Sequence, residues 1–102
     1  DSEDGSVSEI LNPATGEIIA NIPRATVNDV NRCVEASKAA FKSKDWSGMD
    51  PAQRGRILQK MAAATYANAK SLAIVESTNN GKTFREALSE IRYGAWTFEY
   101  YS

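Results

Sequence analysis

Asn12-Pro13-Ala14-Thr15-Gly16-Glu17, with alternating apolar residues on both sides, restricts the early chain more than any other stretch. Pro13 pre-sets its own φ, and Gly16 supplies a left-handed backbone position at little steric cost. Val7, Glu9 and Leu11 lead into the hexapeptide, and Ile18, Ala20 and Ile22 run out of it. The pattern predicts two short strands joined by a tight polar loop.

Downstream the period changes from two to helical. Pro23 ends the second strand, and Thr26 with Asp29 three residues on predicts a helix start of the capping-box kind. Val27, Val30, Val34, Ser37 and Phe41, widened by Cys33 and Ala40, then make one apolar stripe. Lys42-Ser43-Lys44-Asp45 closes that helix, and Trp46-Ser47-Gly48 turns the chain. Asp50-Pro51-Ala52-Gln53 is a stronger start, with Asp50 as cap, Pro51 at the first helical position and Gln53 placed to reach back. Ile57, Leu58, Met61, Ala62, Thr65 and Ala69 form the expected buried face, continued by Leu72, Ala73 and Glu76. Asn68-Ala69 is the expected break into a further helix, and Asn79-Asn80-Gly81 is a helix stop. From about Arg85 to Ser102 a last helix puts Tyr93, Trp96 and Tyr100 on one face and Ile91, Ala95 and Phe98 on another, the pattern of a helix covered on several sides. The predicted class is α+β, a β-hairpin followed by about four helices.

The same residues exclude several functions. A formal charge of −1 on 102 residues lacks the Lys/Arg excess of a nucleic-acid footprint. A single cysteine rules out an intramolecular disulfide framework and fits a reducing, cytoplasmic setting. No apolar run is long enough to span a membrane, and no secretory signal pattern is present. Histidine is absent, which removes the commonest general base, the commonest metal ligand and any His-paired nucleophile. Because the first residue is Asp rather than Met, the chain is expected to be processed, trimmed or a piece.

Individual residues carry little chemistry. Cys33 falls among the valines of the first helix, where cysteine usually behaves as a small buried hydrophobe. Gly81-Lys82-Thr83 mimics the end of a phosphate-binding loop, but Glu76 stands where that motif needs its first glycine, so a helix stop with a solvated lysine is expected. Glu86 and Glu90 lie one turn apart and read as surface charges. The terminal aromatics lack the basic groove of a base-stacking platform. Composition and spacing alone assign no reaction.

Taken in order, the motifs form a recognisable series. Asn12 to Glu17, the Thr26-to-Phe41 helix, Trp46 ahead of Arg54-x-x-Ile57-Leu58, Glu76-Ser77-x-Asn79-Asn80-Gly81-Lys82, and the closing Phe98-Glu99-Tyr100-Tyr101 follow one another. This series resembles the N-terminal region of the NAD(P)-dependent aldehyde dehydrogenase superfamily, from about Val7 to the end of the chain. The resemblance implies part of that family's larger α/β fold, with 1–6 a disordered acidic start and 7–102 an incomplete domain of hairpin and helices. It implies NAD or NADP as cofactor of the complete enzyme, with none expected for this chain alone, and an aldehyde as substrate. The implied partners are the remainder of the dehydrogenase chain and further copies in a dimer or tetramer. No catalytic or cofactor-binding residue is expected in this segment. Neither Cys33 nor Asn79 or Asn80 matches the family's catalytic motifs.

One minor site does reach this region by the same resemblance. Many members hold a structural monovalent cation with main-chain oxygens just before the Asn-Pro turn and an acidic residue near the helix-ending Asn-Gly-Lys. The matching positions are Ile10, Leu11 and Asn79, where Asn replaces the common Asp and removes one negative charge. The competing reading is a free-standing helical interaction module without enzymatic activity, which docks through its aromatic end.

Overall fold

The computed structural model describes residues 2–102. In chain order they form strands β1 (Val7–Leu11) and β2 (Ile18–Pro23), then helices α1 (Val27–Lys42), α2 (Lys44–Ser47), α3 (Pro51–Ala67), α4 (Ala69–Asn80) and α5 (Phe84–Tyr100). This is the expected hairpin-plus-helices order, with the one-turn α2 standing where a simple turn was read. Ser43 explains the addition: its extended backbone ends α1, and its hydroxyl accepts from the Asp45 N–H at 3.4 Å, which restarts the helix. Among the described residues no helix is long and apolar enough to cross a membrane. Residues 2–11 with 17–49 make one compact unit, and 12–16 with 50–102 make another.

In the first unit β1 and β2 pair antiparallel, Val7 opposite Pro23 through Ile10 opposite Ala20, with a register shift between Ile10 and Leu11. Ser8 and Ile10 are half-buried, while Val7, Glu9 and Leu11 are exposed. β2 is exposed along its whole length. Of the expected acidic start at 1–6, Asp1 lies outside the described residues, and Ser2–Ser6 turn back on themselves through Gly5 at φ +70°. At the head of α1 both arms of the Thr26/Asp29 box are closed. The apolar stripe behind it is uncovered, from Val27 at 77% exposure to Phe41 at 88%.

The second unit is built from α3, α4 and α5, with α5 packed against both of the others. Its buried side chains are all alanines: Ala62, Ala69, Ala73, Ala87 and Ala95. Such small side chains let helices approach closely, so the core is made of backbone and methyl contact rather than of large apolar groups. Asp50 caps α3 by accepting from the Ala52 N–H at 2.9 Å, with Pro51 in the first turn. Gly81 ends α4 in the left-handed region at φ +79°, its N–H donating to the Ser77 carbonyl at 2.9 Å. α5 begins behind a second capping box, Thr83 with Glu86, one residue before the start expected from the sequence.

In the same unit the polar loop lies against the α4–α5 elbow. Gly16, at φ +75°, donates its N–H to the Asn12 carbonyl at 2.7 Å, and the Asn12 side chain accepts from the Ala14 N–H at 2.9 Å. This sets Pro13 beside Gly81, where a Cβ would be only 2.8 Å from Pro13 Cγ.

Candidate functional site

Ile10 and Leu11 flank the register shift at the end of β1, with Ala20 and Ile18 as their cross-strand partners. Asn79 is exposed in the last turn of α4, two residues before Gly81. The first two belong to one unit and Asn79 to the other. Among the described residues no group of three or more Asp, Glu, His or Cys side chains gathers to hold a metal.

The α4–α5 elbow is more highly organised than the sequence suggested. Lys82, read as a solvated lysine, has a side chain only 27% exposed and bridges Glu76 at 3.1 Å and Glu90. Hydrogen bonds to Glu90 and then Glu76 raise its pKa above the usual lysine value. The Ser77 hydroxyl donates to the Lys82 carbonyl at 2.7 Å, and the Lys82 N–H donates to Asn80 Oδ1 at 3.0 Å. The Thr83 hydroxyl and then its N–H hold Glu86 below the ordinary carboxylate range. With its ammonium committed to two carboxylates, and a helix rather than a strand before it, Gly81-Lys82-Thr83 is no phosphate cradle. Sequence periodicity missed this bridge because Glu76 and Glu90 lie on different helices. The two acids flanking a helix stop were its only signal.

Two exposed surfaces are apolar. A concavity of about 600 Å³ runs along α1, lined by Val30, Cys33, Val34 and Phe41, with Lys38 and Lys42 also on its wall. Cys33, expected to be buried, is exposed there, because no described element covers the stripe. On α5, Tyr93 stacks on Trp96 with centroids 5.4 Å apart, and Trp96 meets Tyr100 at 5.4 Å. Tyr101 stands edge-on to Tyr100 at 5.0 Å. The expectation that α5 is covered on several sides holds only for its alanine face. Tyr93, Trp96, Tyr100 and Tyr101 are 47–71% exposed. Contiguous apolar surface of this kind marks an interaction face rather than a reaction centre.

Comparison with known proteins decides which enzyme family presents these faces. The model of the aldehyde dehydrogenase family matches residues 1–102. The chain belongs to the aldehyde dehydrogenase family. It is 44% identical over 101 residues to a (Z)-2-((N-methylformamido)methylene)-5-hydroxybutyrolactone dehydrogenase of Acinetobacter baylyi, covering 98% of this chain and 21% of that protein. It is 38% identical over 103 residues to human retinal dehydrogenase 2, covering 99% of this chain and 20% of the relative. Among solved structures, betaine aldehyde dehydrogenase of Staphylococcus aureus in complex with NAD+ superposes with a TM-score of 0.94 at 27% identity, over 98% of this chain and 20% of that one. The chain therefore spans about a fifth of the length of the dehydrogenases it matches. In those dehydrogenases the matching hairpin and helices make up about a fifth of the chain.

Proposed function

We propose that this chain is the N-terminal portion of an enzyme that oxidises an aldehyde to a carboxylic acid, with NAD or NADP accepting the hydride. The observation that carries the reading is the family match over all 102 residues. The backbone likeness to an NAD+-bound betaine aldehyde dehydrogenase supports the cofactor class. In this reading the segment's own residues perform no step at the reacting carbon. Their work is to build a rigid unit and to dock, through α1 and the α5 aromatics, on the remainder of the polypeptide. That remainder supplies the cofactor-binding and catalytic groups, and the complete enzyme works as a homo-oligomer in the cytoplasm. A structural monovalent cation on the main-chain oxygens of Ile10 and Leu11 and the amide oxygen of Asn79 belongs to the same reading.

The test compares the complete polypeptide with the 102-residue segment, following NADH or NADPH absorbance over a panel of aldehydes. Aldehyde-dependent reduction by the complete protein and none by the segment is the expected result. Turnover by the segment alone, or no reduction of either cofactor by the complete protein, overturns the proposal.

A further inference from the structure

The residues ahead of the hairpin are fastened to the start of α1 chiefly through the Asp29 carboxylate, with a longer bond from the Thr26 hydroxyl to Glu3 Oε2 at 3.3 Å beside it. Asp29 is 8% exposed. Its Oδ2 accepts from the Thr26 N–H at 2.9 Å, the Thr26 hydroxyl at 2.9 Å and the Glu3 N–H at 3.2 Å. Its Oδ1 pairs with Arg32. The Thr26 bonds are local capping, but Glu3 lies 26 residues away in sequence. The segment it anchors has its own internal order. Gly5 N–H donates to the Ser2 carbonyl at 3.3 Å, Ser6 N–H to Asp4 Oδ1 at 2.9 Å, and the Ser2 hydroxyl to the Ser6 carbonyl at 3.0 Å. The Ser6 carbonyl also accepts from the Arg24 N–H at 2.8 Å, which extends the strand ladder by one step.

Apolar packing offers α1 little else to hold it on the hairpin. Val27, Val30 and Val34 are 44–77% exposed, and β2 is exposed throughout. A charged acceptor shared by the strap, the cap and the helix is the stronger tie, because hydrogen bonds to an ionised group outweigh neutral ones. We propose that Asp29 latches the Ser2–Ser6 strap onto α1, so that this polar joint sets the orientation of α1 on the hairpin. Opening the joint frees α1 to swing about Arg24–Ala25 while helix and hairpin both stay formed.

The test is residue-resolved hydrogen exchange on the intact protein. Glu3→Pro removes the one strap N–H that reaches Asp29 and leaves the Thr26/Asp29 box untouched. Exchange at Gly5, Ser6 and Arg24 should rise about tenfold, while amides inside α1 keep their protection. Asp29→Ala should release the strap and also the first turn of α1. The Thr26 hydroxyl also reaches Glu3 Oε2, so Glu3→Ala, which keeps the Glu3 N–H on Asp29 and removes only that carboxylate, should leave the strap protected. The proposal is overturned if Glu3→Pro leaves strap exchange unchanged, if it strips protection from the interior of α1, or if Glu3→Ala frees the strap as fully.

Discussion

A methyl group placed on Gly81 would sit 2.8 Å from Cγ of Pro13, at a backbone φ of +79°. The helix stop and the proline of the polar loop are thus fitted to each other, and Gly81 is needed twice over. Gly81→Ala should cost about 1–2 kcal/mol from the left-handed backbone alone, before the contact is counted. Denaturant unfolding of the intact enzyme measures the sum. The Gly81→Ala/Pro13→Ala pair separates the two causes: the double variant should recover the contact part and not the backbone part. Strict additivity of the two single changes would show that the contact contributes nothing.

The alanine core predicts intolerance to bulk. Ala87 and Ala95 are both fully buried on the packed face of α5. Replacing either by Leu should destabilise by about 1–3 kcal/mol through overpacking. Thermal unfolding of the complete enzyme checks this. The control is Ala→Leu at exposed Ala63, which should leave the melting temperature nearly unchanged.

Caps and ion pairs predict the pH response. The backbone N–H groups of Thr26 and Glu3 lower the Asp29 pKa, and Thr83 lowers that of Glu86. Each carboxylate therefore contributes stability that is present above its ordinary unfolded value and is lost as pH falls through the lowered one. Lys82 has the opposite sign: its stabilisation is full below the ordinary lysine value and is lost as pH rises through the raised one. Circular dichroism against pH should show a flatter acid limb for Asp29→Asn and Glu86→Gln, and a flatter alkaline limb for Lys82→Met. An unaltered acid limb in the carboxylate variants would reject the assignment. Thr83→Ala removes a cap and should cost about 0.5–2 kcal/mol.

The bare aromatic face predicts opposite behaviour in the part and in the whole. The isolated 102-residue segment should self-associate and bind a hydrophobic dye. In the complete enzyme, where the proposed docking covers Trp96, Trp96→Ala should cost about 3–5 kcal/mol. Sedimentation and dye fluorescence test the first statement, and unfolding of the complete variant tests the second. A dye-silent monomeric segment would count against an interface there.

What the sequence disclosed follows the range of the forces involved. The hairpin loop, the Asp50-Pro51 start, the Asn68 break and the Gly81 stop each depend on a few adjacent residues, and all are found where the sequence predicts them. The Thr83–Glu86 box was equally local but lay hidden behind the Gly81-Lys82-Thr83 mimic of a phosphate loop. Cover is a different matter. The α1 stripe has sound helical spacing, yet spacing reports only which residues share a face and not whether anything lies across it. The exposure of Cys33 escapes the sequence for that reason, and the double pairing of Lys82 escapes it because its carboxylates sit on two helices. The proposed cation ligands Ile10, Leu11 and Asn79 came only through family resemblance.

The alanine interior has a practical consequence for anyone mapping this segment by mutation. Where the chain is packed, the side chains are already the smallest that carry a Cβ, so truncation removes almost nothing and enlargement is what hurts. Where its exposed bulky side chains lie on α1 and α5, the proposed docking predicts that truncation hurts only once the remainder of the polypeptide is in place. An alanine scan of the exposed aromatics in the isolated segment would therefore look nearly flat, and would rank as dispensable the very residues that the proposed docking covers.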